Sequence, residues 1–171
     1  MNFSELVKSR YSVRSFKDEQ VSKADLDAIL ETVKYAPTAC NLQPQKVYVI
    51  QSPEALAKLE TLTKCRYGAP TVLLVCYDES VAWHNKRMPG YQSGETDAAI
   101  VTTQMMLKAW EIGVGSCWVG MFSSEEVVKA YGLPENTVVE ALLPIGYPAE
   151  DSKPIQMHFD TKADEDIIKY L

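Results

Sequence analysis

The segment "GVGSCWVG", Gly113 to Gly120, decides between two architectures. Its first two glycines have the spacing that opens a G-x-G-x-x-G turn, the motif that follows a strand and cradles a dinucleotide pyrophosphate. Trp118 stands where the third glycine belongs, and the segment follows a helical pattern instead of a strand. The fingerprint therefore fails twice, and a doubly wound dinucleotide fold is set aside.

Upstream, from Thr96 to Ile112, the spacing is helical and apolar on most sides, with Ala98, Ile100, Val101, Met105, Met106, Leu107 and Trp110 distributed around it. Such a helix is expected to be buried all round, in the core or across a subunit interface, and Gly113 ends it. Downstream, Ser123 and Glu126 read as a capping box for a helix through Tyr131, closed by Gly132 and Pro134. "TVVEALLPIGYP", 137–148, then supplies a strand.

Further out, "TVLLVCY", 71–77, is nearly continuous apolar and reads as a strand buried on both faces. "KVYVIQ", 46–51, is a second β-branched run, and Ser52-Pro53 opens a helix with proline at its first position. Ser22 caps a helix whose stripe is Leu26, Ile29, Leu30 and Val33, and which stops before Pro37. Phe3, Leu6 and Val7 predict a short amphipathic helix over 3–9. The polar loop 78–95, containing Trp83 and Tyr91, is long enough for a lid, a dimer contact or a mobile connection. Helices and strands alternate without a regular βα repeat, which predicts an α+β layer fold in one domain over 1–171. Its acidic end, 152–171, is only weakly patterned and is a candidate subunit-wrapping tail.

The 171 residues are 46% apolar and 23% charged, enough to build a core without a metal or disulfides. A net charge of −6 with no basic run makes nucleic acid and anionic membrane poor partners. No apolar run approaches the ~20 residues of a membrane span, and Glu5 interrupts the start in a way that a signal peptide does not. The expectation is a cytoplasmic protein. Cys40, Cys65, Cys76 and Cys117 are dispersed, His84 and His158 stand alone, and no spacing suits a metal.

Three segments could carry chemistry. "SRYSVRSF", Ser9 to Phe16, sets Arg10 and Arg14 on either side of Ser12; guanidinium forks match phosphate and carboxylate, although arginines near a helix end also serve as solvated charge. "APTACNLQPQ", 36–45, clusters Thr38, Asn41 and Gln43 between prolines, as a rigid loop that reads a ligand edge or as an ordinary connection. In "GSCWVGMF", 115–122, Gly120 would let backbone N–H groups approach a planar ligand, or the segment is an apolar turn entering the core.

Taken together, these segments resemble the FMN-dependent nitroreductase family. "SRYSVRSF" is similar to its R-x-S-x-R-x-F signature and "APTACNLQPQ" to its A-P-[ST]-x-x-N-x-Q-P loop. "DAAIVTTQMMLKAWEIGVGSCWVGMF", 97–122, is similar to its long central helix and the turn that follows. The resemblance runs from about Glu5 to about Pro154 in matching order.

The resemblance implies a mixed, mostly antiparallel sheet flanked by helices in an intertwined homodimer, with FMN as cofactor and NADH or NADPH as electron donor. Arg10, with Tyr11 beside it, and Ser12 would hold the FMN phosphate and ribityl chain, and Arg14 the pyrimidine edge of the ring. Pro37, Thr38, Ala39, Asn41 and Gln43 would act on the flavin bound mainly by the other subunit. Trp118 would lead into the Val119-Gly120-Met121 turn, which would offer a backbone N–H near flavin N5. The family's C-terminal basic pair is reduced here to Lys162, because Thr161 occupies the arginine position. No catalytic side chain is expected, since the protein's part is to position and tune the ring. The implied reaction is ping-pong hydride transfer from NAD(P)H to a small electron-poor acceptor such as a nitroaromatic or quinone. Reductive dehalogenation, dehydrogenation, and flavin binding without turnover are the rival readings.

Overall fold

The computed structural model describes Met1–Leu171. Helix α1, Phe3–Ser9, is opened by Asn2, whose side chain accepts the Glu5 N–H while Glu5 reaches back to the Asn2 N–H. This capping box gives Glu5 a structural role that its place among apolar residues does not suggest. Helix α2, Lys23–Glu31, starts at Ser22 and runs into a 3₁₀ turn over Thr32–Tyr35 that stops short of Pro37. Strand β1, Gln45–Ile50, and helix α3, Pro53–Leu62, follow, with Ser52 capping α3. Then come strand β2, Thr71–Asp78, helix α4, Gly94–Glu111, and strand β3, Gly115–Ser116. Helix α5, Ser124–Tyr131, strand β4, Thr137–Gly146, and helix α6, Asp164–Ile167, complete the chain.

The strands form one sheet in the order β1-β2-β4-β3, every named pair antiparallel. β2 lies inside it, and its alternation serves two cores. Leu73, Val75 and Tyr77 face α2 and α4, whereas Val72, Leu74 and Cys76 face α3 and α5. An apolar run with no polar phase is what a strand covered on both sides requires. A bulge opposite Val75 and Cys76 leaves Glu140 as an extra residue in β4. The bulge shifts the side-chain phase, so that Val139 and Leu142 share one face while Ala141, Leu143 and Ile145 share the other.

Three local expectations are corrected. β3 was hidden in the glycine-rich turn, because two residues are too few to show a period. Ser123 accepts the Glu126 N–H at 3.3 Å, but the reciprocal bond from Glu126 is absent, so α5 has a simple cap. α4 is not covered on every side by its own chain: Glu95, Thr96 and Thr103 are exposed, and Ile100, Leu107 and Trp110 are half-buried. Its buried stripe is Ala98, Val101, Met105, Met106 and Ala109, which packs on the sheet. No helix is long and apolar enough to cross a membrane.

Candidate functional site

The spacing R-x-S-x-R acquires a physical reason in the structure. After α1 the backbone becomes extended at Arg10, and in an extended chain alternate side chains point to opposite sides. Tyr11 and Val13 turn inward, and Val13 is 0% exposed. Arg10, Ser12 and Arg14 are therefore left on the other side. The segment docks on β3, with Val13 N–H donating to the Ser116 carbonyl at 2.9 Å and Ser12 bridged to Ser116. Gly115 is required for this contact, since a Cβ there would meet Val13 at 2.7 Å.

Arg10, Tyr11, Ser12 and Arg14 line a cleft of about 160 Å³, closed on its far side by Pro154, Ile155, Met157 and His158. Tyr11 braces it. Its ring meets Trp110 edge-on at 5.1 Å and His158 at 6.3 Å, and its hydroxyl lies 3.1 Å from Ser152 Oγ.

Neither arginine has a carboxylate partner; the chain's ion pairs involve Lys23, Lys46, Arg66 and Lys108. Nη1 of Arg10 is buried without any hydrogen-bond partner. A buried cationic donor in that state is costly and marks a place where an anion fits. Arg14 is exposed, lies 5.9 Å from the Tyr67 ring centroid, and donates to the Ser12 carbonyl at 3.4 Å. Burial pushes the Cys117 thiol up, while Arg14, Ser12 and Arg10 act against that shift. The two arginines and Ser12 thus line one cleft.

The turn after β3 adjoins this cluster. Val119 is spent in the sheet: its N–H donates to Leu142 O at 2.9 Å and its carbonyl accepts the Leu142 N–H at 3.1 Å. The sequence left the donor open among Val119, Gly120 and Met121; the hydrogen bonds narrow it, since only the Gly120 and Met121 N–H groups have no partner in the chain. Thr63 Oγ1 donates to Met121 O at 2.8 Å and fixes the turn from α3's end. Gly120 has neither a left-handed backbone nor any atom within 4 Å of an added Cβ. The chain itself does not need glycine there, whereas each of its other glycines has a positive φ or a close neighbour. Trp118 is half-buried against the α2/α4 core.

The loop holding Pro37, Thr38, Ala39, Asn41 and Gln43 is elsewhere. Its only hydrogen bond to another element runs from Ala39 N–H to Asp97 Oδ1, 2.9 Å, at the start of α4. Tyr11 meets the other end of α4 at Trp110, and thirteen residues at 1.5 Å each separate those points by about 20 Å. One copy of the chain does not bring the loop to the arginine cleft. Lys162 is exposed and makes no ion pair, and it does not line the cleft either.

Sequence reading missed His158 as a cleft residue, Thr63 and Tyr67 beneath the turn, and the Ser93–Asp97 pair beneath the loop. Only His158 had a signal, as part of "MHFDTK". Ser93 and Asp97 meet locally, four residues apart at the start of α4, but their link to Ala39, like the place of Thr63 beside Met121, is a tertiary contact that no local pattern announces.

The family model described as the nitroreductase family matches residues 7–67 and 64–147. A crystal structure of a nitroreductase family protein from Clostridium difficile 630 is 36% identical with a TM-score of 0.92, covering 99% of this chain and 98% of that one. The FMN reductase [NAD(P)H] of Bacillus subtilis is 30% identical over 87% of this chain and 68% of its own length. A nitroreductase-fold protein from Exiguobacterium sibiricum, solved in complex with FMN, is 23% identical with a TM-score of 0.85, covering 100% and 98% of the two chains; it supports the fold.

Proposed function

This chain belongs to the nitroreductase family, and from that premise we propose that it is an FMN-dependent NAD(P)H oxidoreductase acting as an intertwined homodimer. The observation that carries the reading is Arg10, whose buried Nη1 has no partner in the chain and whose cleft also holds Ser12, Arg14 and His158 beside the apolar wall of Pro154, Ile155 and Met157. A phosphate monoester supplies the missing acceptor. When bound, FMN supplies hydride transfer at N5, accepting from NADH or NADPH and giving to an electron-poor acceptor such as a nitroaromatic or quinone in alternating half-reactions.

The chain's own part is binding and tuning. Arg10, Ser12 and Tyr11 hold the phosphate and ribityl end, and His158 adds a polar group on the tail side, where Thr161 replaces an arginine. Arg14 stands by the pyrimidine edge, where a fixed cation favours the negative charge that reduction brings. Trp118 and Val119 set the turn, and the unbonded N–H of Gly120 or Met121 is the donor available to the ring. Lys162 joins the phosphate end when the tail is seated.

A cleft of about 160 Å³ falls short of the ~300–1,000 Å³ of small-molecule pockets. A second copy completes it, bringing Pro37, Thr38, Ala39, Asn41 and Gln43 to the far side of the flavin. The exposed apolar side chains of 152–171, including Met157, Phe159, Ile167, Ile168 and Tyr170, fit a segment that wraps a partner subunit. Four free thiols fit a reducing, cytoplasmic setting. FMN titration with light scattering, on the full chain and on a chain cut after Ser152, tests the proposal. The full chain is expected to bind one flavin per subunit as a dimer and the cut chain to lose both properties; a full chain that stays monomeric and does not saturate with FMN refutes it.

A further inference from the structure

The 37–43 loop has an unfavourable backbone. Cys40, Asn41 and Gln43 have φ of 51°, 54° and 51°, the left-handed region that L side chains avoid unless their surroundings hold them there. Its internal bonds, Gln43 N–H to Thr38 Oγ1 at 3.1 Å and Asn41 N–H to Thr38 O at 2.9 Å, shape the turn but do not attach it to the protein. The attachment is the Ala39 N–H bond to Asp97 Oδ1.

Asp97 is 2% exposed and makes no ion pair. Its carboxyl oxygens are engaged by hydrogen bonds alone, Oδ2 accepting one from the Ser93 hydroxyl at 2.7 Å. Ser93 in turn holds the long polar segment after β2. Trp83 N–H donates to Ser93 Oγ at 3.2 Å, and Ser93 N–H donates to Trp83 O at 2.9 Å. The polar atoms form one line, Trp83 to Ser93 to Asp97 to Ala39, which joins residues 83–97 to a loop some fifty residues earlier in the chain. A buried polar group is costly unless hydrogen-bonded, and the two segments satisfying this one are the two polar loops the fold does not otherwise explain.

We propose that Asp97 is the positioning residue for loop 37–43, and that through Ser93 it locks this loop to the 79–93 segment, so that the two move as one wall of the flavin site. The assignment of that wall to the flavin rests on the function proposed above; the lock itself does not. Any acceptor or subunit contact that displaces Trp83 is then felt at Ala39.

The test is hydrogen exchange on the full chain, comparing wild type with Ser93→Ala and with Asp97→Asn, together with FMN titration of each. Losing a hydrogen bond to a charged group raises exchange in residues 39–43 about tenfold or more in both variants, with α5 within about twofold, and weakens FMN about fivefold. Loop exchange that is unchanged, or that rises in step with α5, overturns the proposal, because the pair would then serve only general stability. Faster loop exchange with unaltered FMN affinity overturns the assignment of the wall to the flavin. A wild type that binds no FMN is a failure of the function reading, told apart because the exchange rates are measured without flavin.

Discussion

Replacing Arg10 with methionine separates a ligand-binding arginine from a structural one, because the two roles predict opposite signs. Within the chain, Arg10 Nη1 is buried with no acceptor, and no carboxylate lies within ion-pair distance of either arginine. Leaving a buried donor unsatisfied costs about 1–3 kcal/mol, and more when it is charged. Methionine keeps much of the aliphatic stem that packs in the cleft wall and removes that cost. The flavin-free variant should therefore melt no lower than wild type, and up to a few degrees higher at about 2–4 °C per kcal/mol for a chain of this size. FMN affinity should move the other way. A hydrogen bond to a charged group is worth about 1.5–3 kcal/mol, so the dissociation constant should rise about 10- to 150-fold. Circular dichroism melts of both flavin-free proteins and quenching of FMN fluorescence read the two quantities independently. A variant that melts well below wild type and binds FMN equally well would show that Arg10 is structural and that its cleft holds no phosphate.

Arg14→Ala should lower the flavin midpoint potential by about 30 mV, equivalent to ~1.4 kcal/mol for a two-electron couple, and slow reduction by NAD(P)H; an unchanged potential and rate would remove Arg14 from the ring. Gly120→Ala should leave the fold as stable or improve it by up to about 1 kcal/mol, because nothing lies within 4 Å of the new methyl, yet weaken FMN. Gly115→Ala should cost about 1–3 kcal/mol by pressing on Val13, and equal melting temperatures for the two variants would refute this contrast. Burial pushes the Cys76 thiol up to about 12, from an ordinary 9.0. A folded pKa raised in this way contributes stability that is intact below the unfolded value and lost as pH climbs toward the folded one. Between pH 9 and 12 wild type should lose urea resistance more steeply than Cys76→Ala, and parallel slopes would contradict it.

Much of the fold could be read locally because its signals are local. Ser22, Ser52 and Ser123 each cap a helix, Pro53 opens one, Gly132 closes another in left-handed geometry, and the nearly continuous apolar run 71–77 is the doubly covered strand. β3 was not legible, since two residues carry no period, and its existence depends on Val13 pressing against Gly115. α4 reads as buried throughout because composition does not say whether a helix face is covered by its own chain. Within the site, the alternation of Arg10, Ser12 and Arg14 was visible, but its cause, an extended segment with Tyr11 and Val13 turned inward, needed the partner strand. Asp97 looked like one more acidic residue in a first helical turn; Ser93 reaches one of its oxygens locally, but only the folded chain brings Ala39 to the other. The separation of loop 37–43 from the arginine cleft was expected from family resemblance alone, and the length of α4 supplies its physical basis.

The most direct test of the account is the visible spectrum of the purified protein, incubated with FMN, desalted, and mixed anaerobically with NADH or NADPH and then with a quinone. The account predicts a yellow protein that bleaches with the nicotinamide and regains its colour with the quinone. A protein that leaves the column colourless would contradict it at its centre, because the unpaired arginine at position 10 would then be holding something other than the flavin phosphate.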